Sequence, residues 1–329
     1  MEVPVGEAEG ARRSLLAMDH LRKDLQIERA GDRVYIPVKA AIGLGYPLAE
    51  REFQEAYTPT PRWQDLATVP PRLRSLLPTA LDVIGDIAIL RLPDEVQEFE
   101  RNIGDAILRW NGKLRAVAVD AGVGGEYRVR DLRVVAGAPS LETVHTEYGL
   151  RYAVDVGKVY FSPRLGTERM RVAQQVRAGE TVLDLFAGAG PYAILIAKRS
   201  APRAVVAVDS NKIAVRYLME NVRTNRAWRV DPRLADARSV LADVGPADRI
   251  IMDLPHTGRG FLVDAFRAVR HGGFLHYYAI LSMAEVEDHR KAIEIMAREA
   301  NRAVEIAALR EVRAYSPARR HWAFDLHVT

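Results

Sequence analysis

A chain of 329 residues, 48% of them apolar, buries a sizeable core and has room for two or three domains. The absence of cysteine excludes disulfides, thiolate nucleophiles, iron–sulfur clusters and cysteine zinc sites, and the scattered histidines form no close ligand pair, so no metal is expected. A net charge of +4 with a pI near 9.3 comes mainly from arginine, a side chain suited to phosphate forks and base stacking, so the composition permits a nucleic acid partner without demanding one.

The chain opens on an acidic stretch, with Glu2, Glu7 and Glu9, unlike a signal peptide, and no run of about 18 apolar residues follows; a cytoplasmic protein is expected. Residues 12–25 read as a polar helix, and a hairpin ends in Val34-Tyr35-Ile36-Pro37-Val38. Pro59, Pro61, Pro70, Pro71 and Pro78 punctuate the next segment and place a linker between about 45 and 78, so that residues 1–75 form a small N-terminal domain with its linker. A strand over 82–90, a helix over 94–110 and strands over 114–119 and 127–136 make a compact α/β domain at 79–150. From 151 to 329 strands and helices alternate. After a strand at 151–156 come helix 167–176, strand 181–185, helix 191–199, strand 205–208 and helix 212–225. Strand 249–252, helix 260–269, strand 273–278 and helix 283–301 lead to a final strand pair, 304–312 and 322–328. This order predicts an α/β fold, a Rossmann-like doubly wound sheet closed by a C-terminal antiparallel hairpin.

In the third domain, Val182-Leu183-Asp184-Leu185-Phe186-Ala187-Gly188-Ala189-Gly190-Pro191-Tyr192 takes an apolar strand through a glycine-rich turn into an apolar helix, the place where an open α/β sheet binds a nucleoside. Gly188 and Gly190 let backbone approach a ligand, and Asp209, about 20 residues on at the end of the next strand, is placed to hydrogen-bond a ribose diol. Ala193 stands where a dinucleotide fingerprint wants a third glycine, and no Gly-Lys-Ser/Thr follows. Asp184, just before the turn, repels a pyrophosphate but pairs with a cationic amino acid such as that of S-adenosylmethionine. Strand 249–252 runs into Asp253-Leu254-Pro255-His256 at the carboxyl edge of the sheet, where Pro255 turns the chain and Asp253 can face a planar substrate.

Other residues admit two explanations. Glu168 opens a helix and complements its dipole, yet beside a nucleoside pocket it is also a candidate general base. Arg128 and Arg130 share one face of a basic strand, which is the pattern of a solvated face as well as of a binding one. Asp236 sits in a polar loop where it accepts from an adenine amino group or is merely solvated, and His276-Tyr277-Tyr278 ends a strand as core or as site lining.

Taken in order, Asp82-Val83-Ile84-Gly85-Asp86, Gly125-Glu126-Tyr127-Arg128, Tyr160-Phe161-Ser162-Pro163-Arg164, Thr167-Glu168-Arg169, the Asp184 to Pro191 turn, Asp253-Leu254-Pro255 and His276-Tyr277-Tyr278 resemble the archaeal and eukaryotic tRNA (guanine-N1)-methyltransferases, which modify guanine 37. The resemblance is close over about 79–280 and looser before it. It implies a class I methyltransferase fold, S-adenosylmethionine as cofactor, tRNA as partner, a monomer, and a small N-terminal domain that helps hold the tRNA while the other two enclose a flipped guanine. By the same resemblance Glu168 is the general base, Arg128 steadies the base oxygen and Tyr160 lies near the target base. Asp184, Phe186, Gly188, Gly190, Asp209, Asp236 and Asp253 are the implied cofactor contacts, with Asp253 and Pro255 also at the substrate edge.

Family members usually carry Asn-Leu-Pro where this chain has Asp253-Leu254-Pro255. A second carboxylate near Glu168 is expected to raise the pKa of one or both. The change also keeps related wyosine-pathway reactions open, either methylation of the tricyclic derivative of the same guanine or transfer of an aminocarboxypropyl group to it. A non-catalytic RNA-binding protein on a methyltransferase fold shares most of these features, but would not need Asp184, Gly188, Gly190 and Asp209 intact.

Overall fold

The few apolar side chains of the N-terminal segment converge on one small sheet. In the computed structural model, which describes residues 1–56, 61–124 and 129–329, the chain parts into two units, Met1–Arg62 and Trp63–Thr329. In the first, β1 (Glu2–Pro4) and β2 (Glu28–Ala30) flank β3 (Arg33–Tyr35) in antiparallel pairs, and α1 (Ala8–Ala17) packs Leu15 on Val3, Val34 and Ile36. The expected helix at 12–25 therefore starts and ends earlier. Asp19 takes a left-handed conformation, φ 56°, His20 N–H closes on Leu15 O at 2.8 Å, and the chain leaves extended so that Leu21 bridges Val38.

The second unit begins inside the proline-rich stretch. Trp63, which opens the short helix α2 (Trp63–Leu66), is buried with Ala67, Val69 and Leu77 against Ala88, Ile103 and Ile107. The strand expected over 82–90 is a hairpin, β4 (Asp82–Ile84) and β5 (Ile87–Leu90), because Gly85 turns the chain at φ 58°. A side chain there is also excluded, since its Cβ would lie 2.1 Å from Thr143 Oγ1. Helix α3 (Glu100–Trp110) turns Ile103, Ala106 and Ile107 onto β6 (Ala116–Gly124) and β7 (Val129–Gly137), giving the order β4-β5-β6-β7 with β5 and β6 parallel. A separate hairpin, β8 (Glu142–Glu147) and β9 (Leu150–Asp155), precedes α4 (Gly166–Gln175).

The remaining elements are β10 (Thr181–Asp184), α5 (Pro191–Arg199), β11 (Ala204–Asp209), α6 (Lys212–Thr224), β12 (Val230–Leu234), α7 (Ala237–Asp243), β13 (Ala247–Met252), α8 (Leu262–Ala268), β14 (Val269–Leu281), α9 (Val286–Glu299), β15 (Val304–Ala314) and β16 (Arg320–Val328). They build a sheet in the order β12-β11-β10-β13-β14-β16-β15, parallel from β12 to β14 and antiparallel at β14/β16 and β16/β15. The central strands are buried on both faces, which is why they read as continuous apolar runs, and a separate core covers each face. Strand β12 escaped the sequence reading because Asp231, Pro232 and Arg233 interrupt it; at a sheet edge a proline costs no ladder bond. The class I methyltransferase fold, a doubly wound sheet closed by a C-terminal hairpin, is thus present. Among the described residues no helix is long and apolar enough to cross a membrane.

Candidate active site

The carboxyl ends of β10, β11, β12 and β13 open on a cavity of about 870 Å³. Phe186, Gly188 and Asp236 line it from the turns after their strands, and Asp209 from the last position of β11. Asp209 also builds the site: its two oxygens accept from Gly188 N–H and Asn211 N–H, both at 2.8 Å, so the carboxylate suited to a ribose diol holds the glycine turn in place. Gly188 stands at φ 54°, and a Cβ there would meet only Tyr160 O at 3.7 Å. Gly190 is not on the cavity wall. At φ 89° its Cβ would fall 2.4 Å from Leu218 Cδ1, so this glycine serves the packing of α5 on α6. Asp236 caps α7 by accepting from Arg238 N–H at 2.8 Å, and Phe186 meets the edge of Phe261.

Asp184 lies off the wall, 1% exposed, and among the described residues neither carboxyl oxygen has a hydrogen-bond partner. Burial first, then the Asp253 and Asp209 carboxylates, push it up to about 8; the Phe186 and Ala193 amides offset part of this without reaching hydrogen-bond geometry. Burial also raises Asp209. An uncompensated group of carboxyls beside a glycine turn fits a nucleoside that carries a cationic amino acid.

The other wall comes from several elements. Asp253 and Pro255 follow β13, Tyr160 precedes α4, and Arg91, Arg130 and Arg164 reach in with Asp82 and Asp120. Asp82 accepts from Arg130 at 3.0 Å and from Arg164 at 2.5 Å, so these guanidinium groups arrive partnered. Arg128, the residue expected at the base oxygen, falls outside the described residues. Glu168 opens α4 as expected but is 1% exposed and not on the wall: Arg171, Arg310 and the Tyr278 hydroxyl occupy its oxygens at 2.7, 3.0 and 2.8 Å. Burial raises its pKa, and these partners outweigh burial and leave it below the ordinary value. Asp253, whose side chain keeps 15% of its surface, is pushed up to about 6 by burial first, with Arg169 and Arg313 opposing and Glu168 assisting. The expected rise at one or both carboxyls is found at Asp253 alone, with burial as its first cause. His276, Tyr277 and Tyr278 are core: His276 Nδ1 meets Asp325 at 2.7 Å, and Asp325 in turn takes Arg171.

The sequence reading missed Arg313, Tyr315, Ser316 and His321, which line the cavity from the C-terminal hairpin. Antiparallel pairing on β14 carries the β15 end and the β16 start to the carboxyl edge; that placement follows from topology, and only Tyr315-Ser316-Pro317 hinted at it.

Three family descriptions match this chain: tRNA methyltransferase 5 N-terminal domain over residues 2–43, TYW2 N-terminal domain over 66–140, and TRM5/TYW2 methyltransferase domain over 143–307. The tRNA (guanine(37)-N(1))-methyltransferase Trm5b of Pyrococcus abyssi is 38% identical over 100% of this chain and 98% of its own length, and its crystal structure superposes with a TM-score of 0.79. A structure described as the complex of aTrm5 and tRNALeu, 29% identical, covers 100% of this chain and 99% of that one with a TM-score of 0.74. The tRNA(Phe) (4-demethylwyosine(37)-C(7)) aminocarboxypropyltransferase of Methanocaldococcus jannaschii is 35% identical over 64% of this chain and 81% of its own length. With a likeness that runs the whole chain and a cavity built at the sheet edge where such enzymes work, this protein belongs to the TRM5/TYW2 methyltransferase family.

Proposed function

We propose that this chain methylates N1 of guanine 37 in tRNA with S-adenosylmethionine. The reading rests on the full-length likeness to Trm5b and is carried by one observation, a cavity lined at once by Gly188 and Asp209 and by Asp253, Tyr160 and Arg130. When bound, S-adenosylmethionine supplies a methyl group on a sulfonium sulfur, which leaves as a neutral thioether as guanine N1 forms the new N–C bond. Asp209 would hold the ribose, and Phe186 and Asp236 would face the adenine; Asp184, buried off the wall, would bear on the ammonium only from behind the turn.

Guanine N1 carries a proton at neutral pH, and a base must take it as the methyl arrives. We assign that role to Glu168, the base that the family resemblance implies; Asp253, one of several carboxyls on the cavity wall and standing where family members usually carry asparagine, faces the base edge. The proton passes from N1 to a carboxylate oxygen of Glu168 and from there to water. Against burial, Arg171, the Tyr278 hydroxyl and Arg310 hold Glu168 below its ordinary pKa and so ionised, and it meets the substrate once Arg171 and Arg310 release it. Arg128 steadies the charge that grows on O6. Residues 1–62 hold the body of the tRNA, and the enzyme works in the cytoplasm as a monomer.

Mass spectrometry of nucleosides from unmodified tRNA incubated with the protein and S-adenosylmethionine tests this: N1-methylguanosine at position 37 is expected. One observation favours a second reading, the match of residues 66–140 to a TYW2 N-terminal domain. Cofactor labelled separately in its methyl and carboxyl groups separates the two. Carboxyl label in tRNA means aminocarboxypropyl transfer, and methyl label only with the tricyclic base means the wyosine methylase.

A further inference from the structure

Glu168 is buried, and each of the three groups that hold it is also engaged elsewhere. The Arg171 guanidinium donates to both Glu168 oxygens and also to both oxygens of Asp325 on β16, with Nη2 to Oδ1 at 2.9 Å. The Tyr278 hydroxyl accepts from Tyr192 at 3.1 Å, and Arg310 keeps 37% of its side chain in solvent. Asp325 is fixed in its turn, accepting from His276 Nδ1 at 2.7 Å and from Gln175 Nε2 at 3.2 Å. Arg249 donates to His276 Nε2 at 2.7 Å, which leaves the ring proton on Nδ1 and makes that nitrogen the donor to Asp325. Asp325 is buried and off the cavity wall, so this framework serves something other than direct contact with a ligand.

We propose that Asp325 is a positioning residue for the base: it keeps the Arg171 guanidinium when Glu168 turns toward guanine N1, so that the carboxylate leaves its seat without stranding a buried cation. Without this second anion, departure of Glu168 would leave the Arg171 charge, only 19% of whose side chain is exposed, with no carboxylate partner, and the Glu168–Arg171 pair would stay shut. Burial works against the charge on Asp325, but the His276 and Arg171 bonds outweigh it and hold the carboxyl far below its usual range. The anion is therefore in place throughout the pH range in which Glu168 titrates.

Other groups bear on Glu168 besides Arg171 on its own helix, Tyr278 on β14 and Arg310 on β15. Tyr192 faces it from α5, Asp253 from the turn after β13 and His321 from β16. Arg171 is the link to Asp325. The inference rests on Glu168 being the acceptor of the N1 proton.

The test is single-turnover methyl transfer by the full chain, at saturating S-adenosylmethionine and unmodified tRNA, across the acid limb of the pH profile. Asp325→Asn leaves Arg171 to Glu168 alone, so the plateau rate should fall ~10-fold or more and the midpoint of the limb should move to lower pH, with tRNA and cofactor affinities unchanged. Adding Arg171→Gln removes the cation that would be stranded, and the double variant should show the rate and midpoint of Arg171→Gln alone. An Asp325→Asn loss that persists undiminished in the double variant, or that leaves the midpoint where it was, makes Asp325 structural and overturns the proposal. If Asp325→Asn fails to fold, the double variant, which lacks both charges of the pair, is compared directly with Arg171→Gln: equal rates and midpoints support the proposal, and a further fall overturns it. Glu168→Gln separates the underlying reading. If the wild-type acid limb survives in that variant, Glu168 is not the acceptor and both ideas fall; if the limb disappears while Asp325→Asn keeps the wild-type rate and midpoint, only the present one does.

Discussion

At Asp184 the cost of burial exceeds what the nearby amides return, and the consequence is a dependence of stability on pH. Its carboxyl stays protonated in the fold up to about 8 but loses its proton near 3.8 when unfolded. The unfolded chain therefore releases a proton across that window, and stability falls as pH rises through it, by ~1.4 kcal/mol per unit where nothing compensates. Asp184→Asn should flatten this slope, read as the Tm of the cofactor-free protein between about pH 4 and about pH 8; an unchanged slope would mean that other groups set it. Asp253→Asn, which installs the residue family members usually carry, should retain single-turnover methylation; a loss of ~10²-fold or more would instead make Asp253 the base. Glu168→Gln should lower single-turnover methylation by ~10²-fold or more at neutral pH and also cost stability, on the order of 1 to 3 kcal/mol, chiefly from the charge left on Arg310, since Arg171 keeps Asp325. Turnover that survives intact in the glutamine variant would remove Glu168 as the base. Gly188, Asp209 and Asp253 were legible from sequence because a strand end and a turn announce themselves locally. The surroundings of Glu168 were not, since Arg310 and Tyr278 come from distant strands, nor was His321, whose place depends on strand order alone.

Between strand and helix, the two glycines of one turn do different work, and mutation should separate them. Gly190→Ala forces a left-handed backbone and a collision with Leu218, and should destabilise the protein by on the order of 1 to 3 kcal/mol or more, with a lower Tm. Gly188→Ala meets no such neighbour; its added methyl group should cost less stability and appear as a weaker affinity for S-adenosylmethionine in calorimetry. Equal Tm losses with unchanged cofactor affinity would refute the distinction. The long apolar runs of β10, β11 and β13 were readable because burial on both faces leaves no alternation to misread. Shorter elements were less so: β4 and β5 merged because a glycine inside an apolar run also suits a strand, and α1 was extended because Asp19 does not declare its left-handed conformation in advance.

For the molecule as a whole, the boundary at Arg62 bears on any truncation. Removing residues 1–62 should leave a folded unit that still methylates guanine 37, with a raised KM for full-length tRNA and little change in the chemical step. Removing 1–78 also takes away Trp63, Ala67, Val69 and Leu77, and should yield an unstable protein, since a large buried apolar side chain such as Val69 or Leu77 contributes roughly 1.5 to 3 kcal/mol. Comparing the two by thermal unfolding and by methylation kinetics checks both statements; an unaltered KM after the first deletion would remove the tRNA-holding role. Proline spacing pointed to a linker, but the same prolines punctuate a segment whose apolar residues pack, and composition cannot tell the two apart. The wall that meets the methyl donor is drawn from the ends of β10, β11 and β12, whereas the opposite wall ends in the hairpin of β15 and β16. Because the two walls lie on separate stretches of chain, the acceptor side can drift while the donor side is conserved. Exchanging residues 313–321 between family members is then a way to redirect one scaffold from guanine to a bulkier base without rebuilding its grip on the methyl donor.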